Sequence, residues 1–390
     1  MKNVKLICFT ILLTMVVLLA AKLVQAQESM TTQLQMVLED AVNSPETVFP
    51  GALLYVSSPD LGTWSGAAGL GNIEPETAMR ADDMFPAASI VKIFVSVVAL
   101  QMVEEGLFAL DDTLSDLLPE NVTARFANND QITVRMLLNH TSGHGNWNAA
   151  VYIEAVGNPT KVWKTDEILD IAAEQQDPNF ALGEFWSYSN NGYFLLHLII
   201  EQATGRSARE EITERIINKL NMENTTMPEP GDPSYPGNYF HSYLFYGGEV
   251  YDLSELDASI ARELVSTTAD LARFLEAVMA GELFQNSETL DEMLTSLAKI
   301  REGTVPLREV AGYGLGMMKF VFPGGIEMYG HLGDNPDSTF VFRLPAQDIT
   351  ISGANNSYNP MDTVALYKHV VIPALEILVP GLEPTEPVSQ

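Results

Sequence analysis

Ser89 and Lys92 stand three residues apart at the head of "SIVKIFVSVVALQM", a run in which almost every other side chain is apolar. On a helix that spacing places both on one face. An ammonium buried among apolar side chains costs several kcal/mol unless something compensates it, so Lys92 needs a partner. Ser89 would lie at the helix N-terminus, where unpaired backbone N–H groups and the helix dipole favour developing negative charge. A hydroxyl beside an amine in that setting is an activated nucleophile. The plain alternative is that Ser89 caps the helix while Lys92 extends toward water. The spacing alone decides nothing, because Ser296 and Lys299 repeat it on an expected helix that has polar positions.

Two further clusters carry polar chemistry. "WSYSNNGYF" places Tyr188 and Asn190 in a polar loop before an apolar helix, as a possible proton carrier and a possible hydrogen-bonding side chain. "YGHLGDNPDSTFVF" puts His331, Leu332 and Gly333 at the end of an expected strand, where a glycine lets another backbone approach closely. His140 and His144 have the spacing of a zinc helix, but the Thr-Ser-Gly between them reads as a turn, so no metal site is expected.

The elements that must position these groups follow from pattern. A helix is expected over 29–44, a hairpin from "GALLYVSS" and "GTWSGAAGLGNI", and a buried helix over 88–105 closed by Gly106. Helical patterns dominate from about 110 to 225, and residues 228–250, rich in Pro, Gly and Tyr, read as an ordered loop. Helices return at 267–280 and 286–299, followed by short strands in "GYGLGMMKFVF", "GIEMYGHLG", "STFVFRLP" and "DITISGANN", and a last helix over 361–377. The expected class is α+β: an antiparallel sheet built from both chain ends and flanked by helices, with an all-helical lobe, about 88–230, inserted in it and a cleft where the two meet.

Lys2 and Lys5 before an apolar run at 6–21, with Val24-Gln25-Ala26 as a cleavage site, read as a secretory signal over 1–26; an uncleaved membrane anchor is the alternative. The expected division is then 1–26 signal, 27–380 catalytic domain and 381–390 loose tail, in a secreted or periplasmic protein. The only cysteine, Cys8, falls within the signal, so disulfides and thiolate chemistry are not expected. A net charge of −30 disfavours nucleic acid and anionic lipid as partners.

Taken in chain order, Ser89-x-x-Lys92, Tyr188-x-Asn190 and His331-x-Gly333 resemble the motifs of the serine β-lactamase and penicillin-binding hydrolases, in the branch of class C β-lactamases and D-alanyl-D-alanine carboxypeptidases. "ITVRMLLNHTSG", "LVSTTADLARF" and "YGLGM" are also similar to stretches of that family, and the resemblance runs from about residue 45 to 357. It implies a β-lactamase/transpeptidase-like fold, acylation of Ser89, proton traffic through Lys92 and Tyr188, and substrate contacts from Asn190, His331 and Gly333. It also implies an oxyanion hole from the N–H groups of Ser89 and Asp334, with no cofactor and a small-molecule or peptide substrate. Leu332 stands where the family commonly has Thr or Ser, and Asp334 where it commonly has a small residue; both disfavour a carboxylate-bearing substrate. A binding or sensor module of the same fold, slow to acylate or inert, is the rival reading.

Overall fold

The computed structural model describes residues 2–383, apart from 147–150, 152–153, 156, 178–179, 233, 235–236, 260–262, 302–303, 306, 335 and 359–361. Residues 384–390, most of the expected tail, lie outside the described residues, whereas Leu382 is packed in the core.

Strands β1 (Gly51–Ser58), β2 (Gly62–Asn72) and β3 (Thr77–Ala78) come from the N-terminal part of the chain. Strands β4 (Val310–Tyr313), β5 (Met318–Phe322), β6 (Ile326–Gly333), β7 (Ser338–Leu344) and β8 (Ile349–Asn355) come from the C-terminal part. They form one eight-stranded sheet in the order β3-β2-β1-β8-β7-β6-β5-β4, with every neighbouring pair antiparallel. The seam is β1 against β8, from Ala52 opposite Asn355 to Ser57 opposite Thr350. The two chain ends thus share one sheet, as the sequence pattern predicts.

Because side chains alternate across a strand, the sheet feeds two cores. Leu54, Phe340, Phe342 and Ile351 pack against helix α1 (Lys2–Asn43) and the C-terminal helical stretch through Tyr367 and Leu375. Their neighbours Leu53, Val341 and Ala354 face the second core, with helix α2 (Val91–Glu104) and helix α4 (Thr268–Met279). Every residue of α2 from Val91 to Met102 is buried, and Phe94 stacks on Phe274 at 3.6 Å between ring centroids. Burial at roughly 1.5–3 kcal/mol per large apolar side chain holds α2 firmly in place beside the site. Gly106, at φ +72°, ends it in the left-handed conformation expected of that position.

Helices fill much of the chain between the sheet's two halves, including Thr165–Glu174 and α3 (Asn190–Thr204). Two expectations are corrected. Tyr243–Tyr246 and Glu249–Asp252 form a hairpin that begins inside the stretch read as a loop and runs two residues past it. Its turn is Gly247-Gly248, both at positive φ, the pair that a two-residue hairpin turn favours. The helix expected over 286–299 runs only over Ser287–Thr295. Leu297 N–H then turns back to the Thr295 carbonyl, and Ala298 bridges to Tyr313.

Candidate active site

The nucleophile sits in a single 3₁₀ turn, Ala88–Ile90, that leads directly into α2. The turn is pinned from two sides. Ala87 N–H donates to the Leu264 carbonyl at 2.8 Å, and Thr339 Oγ1 donates to the Ala87 carbonyl at 3.1 Å. Ala88 holds φ +50°, a conformation that costs a non-glycine residue free energy and persists only where its surroundings enforce it. Gly333 on β6 shows why this strand end cannot carry a side chain. A Cβ there would meet Thr339 Oγ1 at 2.0 Å, and the Ala87 carbonyl and Ala88 Cβ at 2.9 Å. The glycine therefore lets β6 close on the turn that carries Ser89.

Ser89 Oγ receives two donors: Tyr188 OH at 2.7 Å and Lys92 Nζ at 3.3 Å. Lys92 is 5 % exposed. Its ammonium lies over the rings of Tyr188 and Tyr193, at 5.0 and 5.4 Å from their centroids. No ion pair to a carboxylate is formed by Lys92 among the described residues. The two aromatic faces, each worth about 0.5–2 kcal/mol, and the serine oxygen are the compensation that a buried ammonium requires. Both contacts donate to Ser89 Oγ, so it is a pair that has given up one proton, leaving a free amine or a phenolate, that is placed to take the serine proton as the oxygen attacks a carbonyl.

Tyr188 is held by a residue considered above only for its metal-like spacing. The His140 carbonyl accepts from Ser187 N–H at 2.8 Å, and His140 Nδ1 accepts from Ser189 N–H at 3.2 Å, so His140 grips the chain on both sides of Tyr188. Its ring lies 4.5 Å from that of Tyr188, 4.7 Å from Tyr313 and 5.2 Å from Tyr193. Burial, with smaller contributions from Lys92 and His331, holds the imidazole's pKa well below its ordinary value, so His140 is neutral. The sequence signal that could have found it was the family-like "NHTSG" stretch. His144 points elsewhere, edge-on to Phe126 and beside Ser142 Oγ at 3.1 Å.

Ser189, not Asn190, caps α3, through its Oγ to Gly192 N–H at 3.0 Å. Asn190 is thereby released from capping; its Nδ2 donates to Asn146 Oδ1 at 2.8 Å and it lines the cavity beside Ser89. Asp334 lines the same cavity. His331 is placed differently from the rest. It is 2 % exposed, its Nδ1–H points at the Leu332 carbonyl, and its Nε2 accepts from Tyr313 OH at 2.9 Å. Burial, then the Lys92 charge, push its pKa down to about 3, so it contributes to the site as a neutral ring. Its centroid is 6.4 Å from that of Tyr188. Ser89, Lys92, Asn190 and Asp334 thus line one cavity, Tyr188 joins them through its bond to Ser89 Oγ, Gly333 closes the strand against the Ser89 turn, and His331 lies buried behind Tyr188.

The comparisons agree with this geometry. The family model described as Beta-lactamase matches residues 23–372. Penicillin-binding protein 4* of Bacillus subtilis (strain 168) is 24 % identical over 348 residues, 85 % of this chain and 73 % of that protein. Esterase EstB of Burkholderia gladioli is 28 % identical over 206 residues, half of each chain. A D-stereospecific amidohydrolase from Streptomyces sp. superposes with a TM-score of 0.76 at 28 % identity, over 90 % of this chain and 99 % of that one. With a serine, a lysine and a tyrosine meeting at one oxygen and a match that spans most of its length, the chain belongs to the beta-lactamase family of hydrolases.

Proposed function

We propose that the protein is an exported serine hydrolase that forms an acyl-enzyme at Ser89 and prefers ester or amide substrates whose acyl part is neutral or carries an amine. The observation that carries this reading is the pair of contacts on Ser89 Oγ, from Tyr188 at 2.7 Å and from Lys92 at 3.3 Å, at the mouth of a cavity. In the proposed reaction the Lys92–Tyr188 pair starts one proton short of its ammonium–phenol form, and it takes the serine proton as the Oγ–carbon bond forms. The same pair returns it to the departing alcohol or amine as the scissile bond breaks. Water then adds to the ester carbon, gives its proton to the pair, and releases the acid and the free serine. The N–H groups of Ser89 and Asp334 would receive the oxyanion. Export rests on Lys2, Lys5 and the apolar segment 6–21, and N-terminal sequencing of the secreted protein, starting after Ala26, would support it.

The substrate preference rests on Leu332 and Asp334. Leu332 packs against the sheet core and offers no hydroxyl, while Asp334 brings a carboxyl group to the cavity that Ser89 lines. A hydrogen bond to a substrate carboxylate contributes on the order of 1.5–3 kcal/mol, so its loss corresponds to roughly tenfold to a few hundredfold in kcat/KM. The test is a panel of p-nitrophenyl esters, D-amino-acid amides, nitrocefin and D-Ala-D-Ala peptides. Neutral esters or amine-bearing amides are expected to be cleaved faster than nitrocefin, with Leu332→Thr plus Asp334→Gly moving the ratio toward nitrocefin. Faster cleavage of nitrocefin by the natural protein would contradict the preference. Absence of turnover and of Ser89 acylation across the whole panel would favour a binding module.

A further inference from the structure

The cavity beside Ser89 does not end there. It has a volume of about 250 Å³ and continues along α3, lined in succession by Asn190, Tyr193, Phe194, His197, Leu198 and Glu201. These residues form one stripe of a helix, three or four residues apart. At 1.5 Å of rise per residue, His197 lies about 10 Å and Glu201 about 16 Å along the axis from Asn190. Val95, Trp163 and Ile168 add apolar surface to its walls, beside the polar Thr165, Ser207 and Ser259.

The far part of the groove changes character. Glu263 Oε1 lies 3.1 Å from His197 Nδ1, and Glu201 is the next residue along the stripe. Burial lowers the pKa of His197 despite the opposing pull of Glu263, so the ring stays neutral near pH 7. A neutral ring beside Glu263 leaves the carboxylate's charge uncancelled. Among the described residues that line this end, the cation is Arg209; it turns its guanidinium to the backbone, donating to the carbonyls of Pro228 at 2.7 Å, Ala258 at 3.0 Å and Glu263 at 3.3 Å. Among the described residues, this end of the groove thus carries two carboxylates and one guanidinium whose donors are engaged with carbonyl oxygens, in walls that mix apolar and polar side chains.

We propose that this groove is the acyl-chain subsite of the hydrolase reaction put forward above, and that it takes an unbranched apolar chain ending in an ammonium held by Glu263 and flanked by Glu201. The inference rests on that reaction. An extended chain advances roughly 1.2 Å per bond, so about 10 Å corresponds to some eight bonds from the scissile carbonyl to the nitrogen.

The test compares two p-nitrophenyl esters of equal length, the 8-aminooctanoate and the nonanoate, in which a methyl group replaces the ammonium. The natural protein is expected to favour the amino ester by roughly tenfold to a hundredfold in kcat/KM, the range of a charge-assisted hydrogen bond. Glu263→Gln should bring that ratio close to one. Glu249→Gln, which removes an exposed carboxylate from the 249–252 strand and controls for the chain's overall negative charge, should leave the ratio as it was. Because Glu263 also holds His197, Glu201→Gln provides a second reading should Glu263→Gln fail to fold, and it should reduce the ratio at least threefold. A ratio near one in the natural protein, or one that survives both substitutions, overturns the subsite. If the nonanoate is cleaved and a fluorophosphonate labels Ser89 while the ratio stays near one, the hydrolase reading stands and the subsite alone falls. If neither ester is cleaved and Ser89 is not labelled, both fall.

Discussion

Ser89–Lys92 and Ser296–Lys299 share one spacing and have opposite fates. Ser89 opens a helix that continues for 14 residues, and Lys92 is carried into the core with its nitrogen 3.3 Å from the hydroxyl. Ser296 instead follows the last helical residue, Thr295, and takes ψ +55°, so the chain leaves the helix before Lys299 can come round to the same face. Its hydroxyl is committed elsewhere, donating to Glu292 Oε1 at 2.6 Å and accepting from Arg135 Nη1 at 3.2 Å. Lys299 is exposed. A serine–lysine spacing becomes chemistry only where the helix persists through the lysine, the lysine is taken out of water, and no carboxylate is near enough to claim the hydroxyl.

The largest expected effect breaks the first pair. Lys92→Ala and Tyr188→Phe should each lower turnover by roughly 10²–10⁴, the usual contribution of a positioned proton-transfer group, whereas Lys299→Ala should leave it unchanged. Steady-state kinetics on a p-nitrophenyl ester, with circular dichroism to verify folding, measures this. Near-normal turnover by either of the first two variants would remove the role assigned to that residue.

A smaller effect tests what positions the first pair and has no counterpart at the second. His140→Phe keeps a ring against Tyr188 but deprives Ser189 N–H of its acceptor. A buried donor left unsatisfied costs about 1–3 kcal/mol, which a shifted denaturation midpoint should report. Turnover is expected to fall roughly tenfold to a hundredfold, since small displacements of a reacting group carry penalties of that size. Unchanged kinetics would mean that the aromatic cluster alone fixes Tyr188.

The two regions also differ in how they titrate. Around Ser296 the charges are partly exposed ion pairs of Arg135 with Asp111 and Glu292. Around Ser89 lie buried neutral histidines: His140 well below its ordinary pKa, His331 at about 3, and His144 next along the same loop at about 4, each chiefly through burial. In the unfolded chain these rings titrate near 6.5. Their contribution to stability is therefore complete above that pH and is lost as pH falls toward their folded values, by up to about 1.4 kcal/mol per pH unit for each ring. Asp337 acts the other way. Burial raises its carboxyl well above the ordinary value, so its contribution is present at low pH and lost as pH rises. His197 is a fourth ring lowered chiefly by burial, and Asp83 and Asp270 are raised as Asp337 is; the four rings titrate in the unfolded chain between pH 7 and pH 5, so the denaturant midpoint should drop over that range. His144→Phe should make that slope shallower, and an unaltered slope would mean that His144 is not buried as a neutral ring.

Much of the site was legible in the sequence because it breaks local rules. A lysine inside an apolar run and a glycine at a strand end each demanded a reason, and both reasons lie at Ser89. The sheet was legible because both chain ends carry short apolar strands punctuated by turns. What stayed hidden depends on contacts between distant segments. His140 grips Tyr188 across 48 residues of chain, and its own neighbourhood offers only the family-like "NHTSG" stretch, which does not say what the ring would hold. The end of the helix at Thr295 depends on Ala298 bridging to Tyr313, a contact that local pattern cannot encode. The His197–Glu263 pair likewise joins two segments that the sequence gives no reason to bring together.

The measurement that bears most directly on the account is the site of covalent modification by a serine-directed fluorophosphonate, read by peptide mass spectrometry. The account predicts one adduct per chain, on the peptide that contains Ser89. The adduct should be absent in Ser89→Ala and present at full yield in Ser296→Ala. An adduct at any other residue, or labelling that persists in Ser89→Ala, would contradict it.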